Sequence, residues 1–308
     1  MTIHLISVGL SLTQTLSGRL ADRKLATNVA RERPWEILGT DRVLASDWLA
    51  GALAPEDSGE RDPARYRRLA EMADHIQPRL WPARFSAELD TFARVPEAKL
   101  PLDGADVAVL MSSDTADGLA AGLWNAAALV HGDLSRVSYL ADPAAPIGPA
   151  RGQAVLVRVP GLDAGDERGF CDAMRGLGSL GHFLRFAVAQ DREEFRCYLS
   201  GGFKAAIPYL IGLAEGLRSL PDTGSVEAIV LHENTERAPI RLPLRRIPYE
   251  LMADELSGFG VDGVRRYEPQ FSVLEGYAYE KRDATWRLTP FGEGLRALFT
   301  GPPEVLGG

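Results

Sequence analysis

The stretch FRCYLSGGFKAAIPYLIGLAEGL, residues 195–217, decides the fold. Phe195 to Leu199 carries the aromatic and aliphatic residues of a buried strand and stops at Ser200-Gly201-Gly202. From Phe203 to Leu217 the apolar positions recur at helical spacing, so the segment reads as strand, glycine turn, helix. The same unit repeats upstream. Ile3 to Val8 predicts a strand, with Gly9 and the polar run Ser11-Leu12-Thr13-Gln14-Thr15 as the loop at its carboxyl end. Asp106 to Met111 predicts another, closed by Ser112-Ser113-Asp114-Thr115 before a helix from Gly118 to Val130. Gln153 to Val159 precedes a long helix from Glu167 to Ala189, and Glu227 to His232 is a further strand. Near-continuous apolar strands alternating with helices imply an α/β fold: a Rossmann-like parallel sheet with helices on both faces, over residues 1–243.

Two regions depart from that rhythm. Residues from about 18 to 95 turn helical and charged, with Arg65 to Ile76 as an amphipathic helix, and form a helical insertion. After Pro243, a helix over Tyr249 to Leu256, a hairpin over Tyr277 to Leu288 and a helix over Phe291 to Phe299 suggest a winged-helix-like module, residues 244–308.

With 308 residues, 45% hydrophobic, the chain can bury a sizeable core. Its net charge of −8 argues against a protein whose main task is gripping bulk nucleic acid, and leaves room for a small anion in one local pocket. There is no basic leader and no apolar run long enough to span a bilayer, so a soluble, cytoplasmic protein without a membrane partner is expected. Cys171 falls in a predicted helix and Cys197 in a predicted strand; both read as buried small hydrophobes.

Loops at the carboxyl ends of parallel strands collect ligands in one crevice. Three such loops are candidates here: Gly9, Leu10, Ser11, Thr13 and Gln14; Ser113, Asp114 and Thr115; and Ser200, Gly201, Gly202, Phe203 and Lys204. In the last, the glycines let backbone N–H groups approach a phosphate, a helix start adds partial positive charge, and Lys204 adds a full one. A tight turn with an exposed lysine has the same local sequence, and it is not a Walker motif. Gly176-Leu177-Gly178-Ser179-Leu180-Gly181 spells GxGxxG but lies within a helical run, so it is no dinucleotide fingerprint. His4, His75, His131, His182 and His232 show no metal-ligand spacing, and neither metal nor cofactor is expected. His232-Glu233-Asn234 closes a strand and has two readings, a solvated loop or part of the lining of the same crevice.

Several short runs occur together in a familiar order: Ser7 to Thr13, Ser86 to Leu89, Leu110 to Thr115, Ser200 to Lys204 with Ile207-Pro208-Tyr209, and His232-Glu233 leading to Leu242-Pro243. This order resembles the CRISPR-associated Rossmann-fold (CARF) family, in particular its single-CARF members that include ring nucleases, over about residues 1–245. The resemblance implies a homodimer whose crevice takes a cyclic oligoadenylate, with cyclic tetra-adenylate as the expected ring. It implies metal-independent opening of that ring, a ribose 2′-hydroxyl attacking the adjacent phosphorus to leave a 2′,3′-cyclic phosphate end. On that implication Lys204 and Ser11 are catalytic. The ligand-binding residues are Gly9, Leu10, Thr13, Gln14, Ser113, Asp114, Thr115, Ser200, Gly201, Gly202 and Phe203. Leu10 and Ser200 stand where many relatives carry threonine. No histidine has an arginine five positions before it, so the ribonuclease signature of fused family members is absent. The competing expectation is a sensor that binds the ring intact and acts through the tail on DNA or a partner. The feature behind it is a basic set, Arg241, Arg245, Arg246, Arg265 and Arg266.

Overall fold

The computed structural model describes residues 1–17, 33–80, 86–163, 165–186, 194–202, 204–231 and 238–301. A seven-stranded sheet organises the molecule. Its strands are β1 (Thr2–Ser7), β2 (Val107–Ser113), β3 (Val137–Leu140), β4 (Ala154–Val159), β5 (Glu194–Tyr198), β6 (Val226–Val230) and β7 (Ile240–Leu242), in the spatial order β3-β4-β2-β1-β5-β6-β7. All pair in parallel except β7, which runs antiparallel along β6. Strand periodicity divides the core. Ile3, Leu5, Val107, Val109, Val155, Val157, Phe195 and Cys197 face one side, and Ile6, Ala108, Leu110, Leu156, Tyr198 and Ile229 the other.

On the second side lie α1 (Ser11–Leu16), α2 (Arg42–Ala52), α3 (Pro63–Leu80), α4 (Ala87–Ala93) and α5 (Ala116–Leu129). Every residue of α5 except Asp117 is buried, because the helices of the insertion close over it as an outer layer. Trp124 marks that contact, its indole N–H donating to the Pro34 carbonyl at 2.9 Å.

The first side carries α6 (Glu167–Phe186) and α7 (Ile207–Ser219), with the tail packed outside them: α8 (Tyr249–Ser257), α9 (Pro290–Thr300) and an antiparallel sheet of β8 (Val264–Arg265), β10 (Thr285–Leu288) and β9 (Tyr279–Arg282). Met252, Leu256, Tyr279, Trp286, Phe291 and Leu298 join the same hydrophobic cluster as Ile3 and Leu5, so the tail shares the sheet's core. The glycines of the GxGxxG run make this possible. A Cβ at Gly178 would overlap the Gly294 carbonyl of α9, and one at Gly181 would press on Leu298.

The structure changes several details of the sequence reading. The polar run from Ser11 is a short helix, not a loop: Thr13 and Thr15 turn their hydroxyls back onto the carbonyls of Leu10 and Ser11, satisfying themselves within the helix. The helix expected from Phe203 begins as a 3-10 turn, Lys204–Ala206, and becomes α-helical only at Ile207. Cys197 is buried, whereas Cys171 is only half-buried. The edge strands β3 and β7 are additions, too short to show a period in sequence. No helix among the described residues is long and apolar enough to cross a membrane.

Candidate functional site

The chain passes from β1 to β2 on one side of the sheet, and from β4 it crosses to β5 on the other side of β1. The strand order therefore reverses between β1 and β5, which is where open α/β sheets form their binding crevice. Two of the three predicted loops meet at this point.

They meet backbone to backbone. The Ser7 hydroxyl donates to the Gly201 carbonyl at 3.0 Å, and a Cβ at Gly9 would lie 2.5 Å from the Gly202 amide nitrogen. Gly202 holds φ at +91°, a value that favours glycine, and a side chain there would run into the Ser7 hydroxyl. Ser200 secures the far end, its hydroxyl accepting from the Leu231 amide at 2.7 Å. Beyond the turn Lys204 is exposed and makes no ion pair or hydrogen bond with a described residue. Pro208 occupies the first turn of α7, and no side chain caps that helix.

Beneath the two turns sits Glu88, a residue of the second position of α4 with no role in the sequence reading beyond its place in the familiar run. It is 2% exposed. Its Oε1 accepts from the Gly9 amide at 2.5 Å and its Oε2 from the Ser11 hydroxyl at 3.0 Å. Ser11 also accepts from the Ala87 amide at 3.1 Å, and Ser86 caps α4 while donating to Asn125 at 2.7 Å. Burial pushes the Glu88 carboxyl above the usual carboxylate range, against the opposing pull of its hydrogen bonds. A Cβ at Gly201 would collide with its Oε1.

Around these turns, Leu10 and Gln14 are exposed, whereas Thr13 is buried with its hydroxyl on the Leu10 carbonyl. Phe203 and the run His232-Glu233-Asn234 lie outside the described residues.

The third loop lies one strand away on β2. Thr115 caps α5, accepting from the Gly118 amide, and shares a 3.0 Å hydrogen bond with Ser113. Asp114 is buried between two guanidinium groups, 3.2 Å from Arg42 and 3.6 Å from Arg158. Its carboxylate is held by these two arginines, of which Arg42 is the more exposed. Sequence reading missed both, since neither stands near a glycine turn.

The basic set of β7 and the tail is largely taken up internally. Arg241 pairs with Glu97 and Glu227, Arg245 pairs with Glu215 at 2.8 Å and lies over the Tyr277 ring, and Arg265 donates to the Glu255 carbonyl. Arg246 and Arg266 are exposed. Most of the length of α9 is buried against α6, including Phe291, Leu295 and Leu298. A cavity of about 190 Å³ lies between α6 and the tail, lined by Arg175, Leu256, Phe259, Glu293 and Arg296.

No protein-family model matches the chain, and no curated protein matches it either.

Proposed function

We propose that the chain binds a cyclic oligoadenylate at the β1/β5 switch point, as a homodimer, and opens the ring without a metal. The observation that carries this reading is Lys204: an exposed cation, making no ion pair or hydrogen bond with a described residue, two positions after a glycine turn that packs onto Gly9 at the reversal of strand order. A phosphodiester suits such a place, since backbone amides and one lysine meet its charge without a metal. A ring of repeating nucleotides suits a crevice shared by two copies of the chain.

In the proposed reaction a ribose 2′-hydroxyl attacks the adjacent phosphorus and the bond to the 5′-oxygen breaks. A 2′,3′-cyclic phosphate end and a 5′-hydroxyl result, the proton passing from the 2′-oxygen to the leaving oxygen through solvent. Lys204 stabilises the charge that develops on the phosphoryl oxygens, and Ser11 orients the ribose or phosphate.

A second reading, a sensor that keeps the ring intact, is favoured by the state of Ser11. Its hydroxyl already donates to Glu88 and accepts from Ala87, which leaves little of it for chemistry. A DNA-binding output through the winged-helix-like tail would rest on Arg246 and Arg266 alone within the basic set.

Incubation with cyclic tetra-adenylate and cyclic hexa-adenylate in excess chelator, followed by chromatography over hours, separates these readings. Linear products ending in a cyclic phosphate support the ring nuclease. Retention of an intact ring supports the sensor, and absence of any binding removes both.

A further inference from the structure

Glu88 is a buried acid at the floor of the proposed anion site, and its hydrogen bonds run the wrong way for an anion above it. An ionised carboxylate accepts the Gly9 amide at 2.5 Å and the Ser11 hydroxyl at 3.0 Å, so both donors are engaged by Glu88 and not by a ligand. Among the described residues its neighbours offer it only dipoles. From the β1–α1 turn these are Gly9 and Ser11; from the start of α4, the amide of Glu88 itself and the Ser86 hydroxyl, which donates to Asn125 of α5; from the β5 turn, Gly201, with exposed Lys204 further along. The titratable residue nearest in sequence on its own helix, Asp90, is paired with Arg94.

Resting on the reading of this cleft as an anion site, we infer that Glu88 takes up a proton when the anion binds and thereby releases the Ser11 hydroxyl to the ligand. The step is balanced. A proton from solvent adds to Oε2, which changes from acceptor to donor toward Ser11 Oγ. Ser11 keeps its own proton, holds both the Ala87 amide and the new Glu88 O–H on its lone pairs, and turns its O–H into the cleft. Oε1 goes on accepting from Gly9, so the turn stays in place. The driving force is that two negative charges so close in a buried setting repel, which raises the carboxyl's affinity for a proton. The carboxyl is already biased that way by burial. Glu88 is a positioning residue in this account, acting on the ligand through Ser11.

The test is the carboxyl titration of Glu88 in the full-length chain carrying 13C-labelled glutamate, read by NMR. It is run free, with cyclic tetra-adenylate and with saturating sulfate, an anion that does not itself titrate between pH 4 and 9. Loss of the resonance in Glu88→Gln assigns it, and its displacement in Ser11→Ala does so if that variant fails to fold. The expected result is a midpoint that rises by about one unit with either probe. As pH rises, the affinity of the wild type should also fall by about threefold across the interval between the free and bound midpoints, and by about tenfold over the whole titration. Glu88→Gln, whose amide imitates the protonated acid, should bind with no such slope. A midpoint that neither probe moves overturns the inference. A response to sulfate without one to cyclic tetra-adenylate keeps the inference and overturns the oligoadenylate reading.

Discussion

At the residue scale, the site depends on side chains that are absent as much as on those present. Gly201 backs onto the Glu88 carboxyl and Gly202 onto the Ser7 hydroxyl, so the turn closes only because neither carries a Cβ. Gly201→Ala should therefore destabilise the fold by about 1–3 kcal/mol, the usual cost of forcing a methyl into a filled space. Urea denaturation measures it, and a variant as stable as the wild type would show that the two turns do not touch as described. The glycine pair and the lysine were legible in the sequence because a strand, two glycines and a cation are neighbours in the chain. Glu88 was not legible as a site residue. Its importance comes from contacts with Gly9 and Gly201, far away along the chain, and no local pattern distinguishes it from any other acid near the start of a helix.

Two buried groups make stability depend on pH in opposite directions. His4 has no exposed surface, sits between Tyr198 at 3.0 Å and Asp106 at 3.5 Å, and is held below the usual histidine range by burial. The native state therefore binds fewer protons there than the unfolded chain, and stability rises with pH up to about 6.5. Glu88 is shifted the other way, so its contribution is full at low pH and is lost as pH rises through its folded-state value. Replacing Glu88 by Gln should remove the falling part and steepen the rise of the denaturation midpoint between pH 5 and pH 7. An unchanged profile would place Glu88 in contact with water.

At the element scale, the crossing of α6 and α9 shows what the GxGxxG run is for. Its spelling in the sequence suggested a nucleotide loop only until its helical context was considered, and the structure supplies the positive reason: helices that approach closely enough to need glycine at Gly178 and Gly294. Gly178→Val should separate them and lower stability by about 1–3 kcal/mol or more, with no change expected in ligand affinity at the distant carboxyl edge. A change in affinity at unchanged stability would tie the tail to the site. Thr115 offers a milder probe. Removal of its cap on α5 by Thr115→Ala should cost about 1 kcal/mol. The short helix α1 escaped sequence reading because serine and threonine favour turns in general, whereas here Leu12, Thr13 and Thr15 are buried and the hydroxyls bond within the helix.

At the scale of the whole molecule, the parallel sheet was legible because its central strands are apolar on both faces, a pattern that requires helices above and below. Strand order was not, since pairing joins segments far apart in sequence and β5 reaches its place beside β1 only after the chain has crossed the sheet. The place of the tail was equally hidden. Its strands and helices were visible in the sequence, but their common core with the sheet is a tertiary fact. A chain ending at residue 243 would expose the faces of α6 and α7 now covered by Phe291, Leu295 and Leu298. That truncation should aggregate or lose cooperative unfolding, and a soluble, cooperatively folded product would show the tail to be a separate unit.

The central claim is that Lys204, at the meeting of the two glycine turns, is the cation that receives a phosphate of the ligand. It is tested most directly by equilibrium binding of cyclic tetra-adenylate to the wild type and to Lys204→Ala, at low and at physiological salt. Lys204 is exposed, so the substitution should leave folding intact. The account predicts binding by the wild type that weakens with salt, and a loss of about tenfold or more in Lys204→Ala, the effect of about 1.4 kcal/mol. No binding by the wild type, or equal affinity in the two proteins, would contradict it.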